Sequence, residues 1–238
     1  MRVAVVTGAS SGIGAELCRQ LRGRGYRVVG LSRRPGPDAD EHEPCDIGDR
    51  AAVDAVAARV LERHPQIDLL VNNAGTTARE SFFDGNPESI ERVLRTNYLG
   101  SVWTTRAFLS GLGPGAHVIN IVSVAGTVAD GPYSASKHAQ LAFSRMSAVE
   151  LGRRGISVLT VNPGYVETPG FPQRSRGFVV GLLAVDPAFV VERTLHALDR
   201  DAREIFVPRW YRPFAWLQAL LPGTLARLRI RVRRGERA

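Results

Sequence analysis

Lysine is almost missing from this chain: of 31 basic residues, Lys137 alone is lysine and the others are arginine. Either drift left it there, or that position requires a compact ammonium where arginine will not serve. Cysteine is nearly as scarce. Cys18 and Cys45 have no CxxC spacing and no Cys/His cluster, which excludes a disulfide framework and a zinc site and predicts two reduced, buried thiols. No metal is expected. No stretch approaches the roughly 20 apolar residues of a membrane-spanning helix, and the chain opens at once on the strand-like RVAVVTG, leaving no room for a secretory signal. These absences predict a soluble protein of the cytoplasm. Acidic residues are scarce only at one end: residues 209–238 hold eight arginines and one glutamate, so nearly all of the net charge of +8 belongs to that tail.

Within 238 residues, short apolar runs at 2–6, 27–31, 67–71, 116–122, 156–161 and 204–207 alternate with helical patterns at 12–24, 49–63, 87–112, 131–152 and 187–199. Parallel strands need crossover connections, so this alternation predicts one α/β domain over 1–208, a doubly wound parallel sheet with helices on both faces. Val53, Val56, Ala57, Val60 and Leu61 make one apolar stripe that would face the sheet. Residues 33–44, rich in proline, glycine and charge, read as a loop.

VVTGASSGIGAEL places Gly8, Gly12 and Gly14 between the first strand and the first helix. Such a loop lets a pyrophosphate approach backbone N–H groups at the positive end of a helix, although three glycines also suit a plain strand-to-helix turn. The second strand ends in LSRR. Where an NAD enzyme would place an acid for the ribose 2′-hydroxyl, Arg33 and Arg34 offer paired donors for a 2′-phosphate, which favours NADP over NAD; a solvated turn is the alternative.

Proline at 132 marks the start of a helix on which Tyr133 and Lys137 share one face. A phenol titrating near pH 10 is a poor acid-base group at neutral pH, and a neighbouring cation favours its ionised form. Lysine suits this better than arginine because its compact charge with three donors reaches sugar hydroxyls and a phenol together. Ser123 closes the strand HVINIVS at the carboxyl edge, where its hydroxyl would meet a substrate oxygen. Asn97 falls on an apolar helical stripe with Ile90, Val93 and Leu94, so its amide needs partners, either backbone or a held water.

TGASSGIG, CDI, NNAG at 72–75, Asn97, Ser123, YSASK and NPGYVET, in this order and spacing, resemble the short-chain dehydrogenase/reductase family from Val3 to about Thr168. The resemblance implies a single Rossmann-type fold and reversible hydride transfer between a nicotinamide and an alcohol or carbonyl carbon. It makes Tyr133 the general acid-base and has Lys137 hold the nicotinamide ribose and lower the tyrosine pKa. It has Ser123 orient the carbonyl and Asn97 support a relay water. For the cofactor it implies Gly8, Ser10, Ser11, Gly12, Ile13 and Gly14 at the pyrophosphate, and Asp46 and Ile47 at the adenine. Asn73, Ala74 and Gly75 would line the channel, and Pro163, Gly164, Val166 and Thr168 would sit at the nicotinamide amide. A homo-oligomer is also implied. A nucleotide-binding sensor without catalysis is one alternative, though it would not need Ser123, Tyr133 and Lys137 together, and a tail-driven scaffold at a membrane surface, which could coexist with activity, is another.

Family members place a substrate lid after Thr168. Here, at about 168–186, Phe171, Phe178, Val179, Val180, Leu182 and Leu183 make it apolar, suiting a lipophilic carbonyl or alcohol substrate or else packing against the domain. The tail, 209–238, is basic and amphipathic: Trp210, Phe214, Leu217 and Leu221 follow helical spacing, and Leu225, Leu228 and Val232 stand among arginines. Docking on the domain or a sister subunit competes with peripheral contact to an anionic membrane. Nucleic acid is disfavoured, because no nucleic-acid motif accompanies the charge.

Overall fold

Both faces of the strand β1 (Arg2–Thr7) are buried: Val3 and Val5 enter one apolar cluster, Ala4 and Val6 the other. A strand covered on both sides needs no polar alternation, hence its continuous apolar run. The computed structural model describes residues 1–78, 80–224 and 227, with the backbone alone at 176 and 179. Beside β1 lie β2 (Tyr26–Ser32), β3 (Glu41–Pro44), β4 (Leu69–Asn72), β5 (His117–Ile121), β6 (Ser157–Pro163) and β7 (Glu204–Val207). All pair in parallel in one seven-stranded sheet, ordered β3-β2-β1-β4-β5-β6-β7.

On one face α2 (Arg50–Arg63) buries Val53, Val56, Ala57 and Val60 against Val3 and Val5; Asp49 caps it by accepting from the N–H groups of Ala51 and Ala52. On the other, α1 (Gly12–Gly23) and α7 (Pro187–Leu198) bury Leu17, Leu21, Val190, Val191 and Leu195 against Ala4 and Val6. The remaining helices are α3 (Pro87–Leu94), α4 (Gly100–Ala107), α5 (Gly131–Gly152), α6 (Phe178–Leu183) and α8 (Tyr211–Leu220). Strand order reverses about β1, so the connections from β1 and β4 leave on opposite faces and open a crevice at their carboxyl ends.

Two elements differ from expectation. The segment read as a loop ends in β3, whose sequence EHEP carries no apolar pattern. It is an edge strand held by charge: Glu43 accepts from Arg59 and Arg63, and Glu41 from Arg27 and Arg63. Burial pushes the Glu43 carboxyl up, but the two guanidiniums outweigh it and hold the group below the usual carboxylate range. The single helix expected over 87–112 is instead α3, a π-turn at Arg95–Leu99, α4 and a short 3₁₀ turn at Leu109–Gly111. At its exit Gly100 lies against Ile47, where a Cβ would stand 2.9 Å from the Ile47 carbonyl oxygen, so a side chain there would push the turn off the sheet's edge.

Both thiols are buried, as expected, and burial pushes Cys18 up to about 12 and Cys45 up to about 11, which makes them poor nucleophiles. No described helix is long and apolar enough to cross a membrane. Leu225, Leu228 and Val232 lie outside the described residues, as does the side chain of Val179.

Candidate active site

The nucleotide end is tied together by Thr7, the last residue of β1. Its Oγ1 accepts from the N–H groups of Asn73 (2.9 Å) and Ala74 (3.0 Å) and donates to the Val71 carbonyl (3.2 Å). The Asn73 amide donates back to the Thr7 carbonyl at 2.9 Å, so its side chain braces the glycine loop. Gly8 turns at φ 68°, and a Cβ on it would stand 2.9 Å from Ala74 Cα. On Gly14 a Cβ would stand 2.5 Å from Asn73 Nδ2, and on Gly12 3.0 Å from Thr168 Cγ2, which brings 168 to the loop. Ser11 gives α1 no side-chain cap, which keeps the first-turn N–H groups of that helix available to an anion. Ser10 and Ile13 are half-buried beside it. This cradle fits a dinucleotide pyrophosphate, since side chains would fill it.

Arg33 and Arg34 are exposed at the carboxyl end of β2, and Ser32 Oγ donates to the Arg34 carbonyl at 2.6 Å. The chain then folds back on the glycine loop: a Cβ on Gly36 would lie 3.0 Å from Ser10 Cα. Asp46 is exposed and accepts from the Gly48 N–H (2.9 Å), while Ile47 is buried.

At the chemical end Ser123 stands two residues beyond β5. It accepts from the Ala125 N–H (3.0 Å) and donates to the Pro163 carbonyl (3.4 Å), linking the ends of β5 and β6. Tyr133 lies in the first turn of α5, its ring 6.4 Å from that of Phe171. Lys137 is only 4% exposed, with Nζ 5.9 Å from the Tyr133 ring centre; it donates to the Ile121 carbonyl (3.2 Å) and to Gln140 Oε1 (2.7 Å). Burial depresses its pKa to about 7. Burial also pushes the Tyr133 hydroxyl above its ordinary range, with a hydrogen bond to Ser123 pulling the other way. This is the reverse of the expected lowering, because desolvation dominates.

Asn97 is fully buried in the π-turn. Its Oδ1 accepts from the Thr76 N–H (2.8 Å), and its Nδ2 donates to the Thr76 carbonyl and to Ser136 Oγ (both 2.9 Å). Thr76 backbone and the Ser136 hydroxyl thus pair the side-chain amide. A Cβ on Gly75 would stand 3.4 Å from Asn97 Oδ1 and 3.8 Å from Lys137 Nζ, so NNAG, the π-turn and the lysine converge. Val166 is buried and bridges to Val185, and beside it Glu167 accepts from the N–H groups of Gln173 (2.8 Å) and Arg174 (2.7 Å).

Sequence reasoning missed Gln140, Ser101, Ser136 and Tyr211. Ser136, Gln140, Ser144 and Ser147 form a buried polar stripe at helical spacing on α5, a signal that a search for apolar stripes passes over. The ring of Tyr211 lies against Gly164 and leaves no room there for a side chain. Among the described residues no group of three metal-ligating side chains occurs.

A dinucleotide cradle at the sheet's switch point, with serine, tyrosine and lysine beside it, defines a nicotinamide-dependent oxidoreductase. The chain belongs to the short chain dehydrogenase family, which it matches over residues 2–177, and is an NAD(P)-dependent dehydrogenase/reductase. It is 30% identical to dehydrogenase/reductase SDR family member 7B of Bos taurus, over 99% of this chain and 82% of that one. It resembles the solved actinorhodin polyketide ketoreductase with NADPH (30% identity, TM-score 0.75, covering 87% of this chain and 95% of that one). A short chain dehydrogenase from Burkholderia cenocepacia in complex with NADP is similar too (28%, TM-score 0.73, covering 82% and 89%).

Proposed function

We propose that this protein is an NADP-preferring reductase of a lipophilic ketone or aldehyde, reversible towards the alcohol, with Tyr133 as general acid-base. The observation that carries the reading is the meeting of Ser123, Tyr133 and Lys137 beside the glycine cradle. Held there, NADPH would supply the hydride that the carbonyl carbon receives. Tyr133 donates the proton to the carbonyl oxygen, and the Ser123 hydroxyl holds that oxygen in line. Lys137 binds the nicotinamide ribose and, while protonated, stabilises the phenolate left behind. Asn97 fixes the turn facing them.

The pyrophosphate is assigned to Gly8, Ser10, Ser11, Gly12, Ile13 and Gly14, and a 2′-phosphate to Arg33 and Arg34. The adenine is assigned to Asp46 and Ile47, the channel to Asn73, Ala74 and Gly75, and the nicotinamide amide to Pro163, Gly164, Val166 and Thr168. Substrate polarity is inferred from the lid: Phe171 faces Tyr133, and Phe178 and Leu182 are 86% and 75% exposed. The likeness to a polyketide ketoreductase supports a ketone. NADPH oxidation with a panel of aliphatic, aromatic and polycyclic ketones and aldehydes tests this. Turnover with at least one is expected; tight NADPH binding without any turnover would favour a nucleotide sensor. Homo-oligomerisation rests on family likeness alone.

A second reading, that the tail also contacts an anionic membrane, is favoured by α8. Its inner side, Tyr211, Ala215 and Gln218, is less exposed, whereas Pro213, Trp216, Leu217 and Leu220 share the outer face. Trp216 is 57% and Leu220 78% exposed, and Arg212 stacks 4.9 Å over Trp216. No acidic residue occurs from 205 to 235, so pairing two such faces would bring arginines together, whereas anionic lipid complements them. The full chain is expected to float with phosphatidylserine vesicles and not with neutral ones. Trp216→Ser with Leu220→Ser should abolish flotation and leave NADPH oxidation of a soluble ketone intact; equal flotation by both proteins would refute the contact.

A further inference from the structure

The polar side chains around Lys137 form a connected chain. Gln140, fully buried and one turn along α5, accepts from Lys137 Nζ at 2.7 Å and donates through Nε2 to Ser101 Oγ at 2.9 Å. Ser101 donates to the Asn97 carbonyl at 3.1 Å. On the other side Asn97 Nδ2 donates to Ser136 Oγ at 2.9 Å, and Ser136 donates to the Tyr133 carbonyl at 2.7 Å. The bonds thus run from Lys137 through Gln140, Ser101, Asn97 and Ser136 to the Tyr133 carbonyl, joining α5 to the π-turn by two separate paths.

We propose that Gln140 is a positioning residue for Lys137: its carboxamide ties the ammonium to the Asn97 turn and so fixes the lysine's place beside Tyr133. The inference rests on the reading of Lys137 and Tyr133 as a working pair. A carboxamide is the group this place requires, because it offers an acceptor to the ammonium and a donor to the serine at once. An apolar residue would leave the ammonium with the Ile121 carbonyl alone and Ser101 without its donor, and a carboxylate would serve the ammonium but present no donor to Ser101. The ionisable group at Nζ is Tyr133, on the same helix; the Ile121 carbonyl of β5, Gln140 and the Asn97 amide across Gly75 are neutral.

Because Lys137 is the only lysine, ¹³Cε-lysine labelling of the whole protein gives one side-chain signal whose pH titration belongs to that residue. In the wild type it should titrate near the depressed value of about 7. Gln140→Glu should raise the midpoint by about 1 pH unit or more, since a carboxylate then faces the ammonium, and move the pH optimum of turnover the same way. Gln140→Leu should lower the midpoint and cut kcat by about 10- to 100-fold, as misplacement of a reacting group does, with the thermal transition showing a folded protein. A folded Gln140→Leu protein whose lysine midpoint and kcat both match the wild type would overturn the proposal. Should the leucine variant not fold, an unmoved midpoint in Gln140→Glu overturns it instead. Failure of the underlying reading looks different: the wild type itself turns over no carbonyl, while the titration still reports whether Gln140 holds the lysine.

Discussion

Tyr133→Phe should lower kcat by about 1,000- to 10,000-fold, the upper part of the range for removing a positioned acid, and leave NADPH affinity within about threefold. The ring that faces Phe171 is retained, so packing against Phe171 should survive. What disappears is the proton. The pH dependence follows from the two opposed shifts. Burial holds the Tyr133 hydroxyl protonated through neutral pH, the form that reduction needs. Lys137, depressed to about 7, loses its proton in the same range, so the cation that stabilises the phenolate is present below that pH and lost above it. Reductive kcat should therefore fall as pH rises through about 7, and Lys137→Met should remove that limb along with most of the activity. A profile flat from acid to pH 9 would show that the ammonium does not act in the chemical step.

The second large effect concerns the cofactor. Arg33→Asp combined with Arg34→Ala should lower kcat/KM for NADPH by about 100-fold while kcat/KM for NADH stays level or rises. Two charge-assisted hydrogen bonds in a dry site would be worth about 3–6 kcal/mol, but both arginines are exposed, and solvent screening brings the expected loss below that range. Aspartate at 33 would instead accept from a free 2′-hydroxyl. Steady-state kinetics with each cofactor and one ketone measure the ratio; a change below about threefold would mean that the arginines are merely a solvated turn.

The parts of the molecule legible in its sequence are those in which one residue type has one use. Strands buried on both faces declare themselves by apolar runs, and the stripe on α2 by its spacing. Gly8 and Gly14 mark the cradle because a Cβ would strike Asn73 or Ala74 there. Parts held by charge or by paired polar groups were hidden. β3 gains its place from Arg59 and Arg63, distant in sequence and carrying no strand signal. The π-turn breaks a pattern that reads as one helix, and it depends on Gly100 meeting Ile47. Gln140 and Ser101 are unremarkable as letters, and their role exists only once two helices bring an acceptor and a donor together. The Tyr133 shift was misread for a related reason: spacing reveals that a cation is near, not that burial outweighs it.

The central claim is that the chain passes a hydride to a carbonyl carbon in step with a proton from Tyr133. Its most direct test is mass spectrometry of the alcohol formed when NADPH bearing deuterium on the transferred position of nicotinamide C4 is supplied with a lipophilic ketone. One deuterium on the carbinol carbon is expected with the wild type, and none above background with Tyr133→Phe over the same time. Deuterium transfer that continues undiminished in the phenylalanine variant, or its absence from every alcohol made by the wild type, would contradict the account.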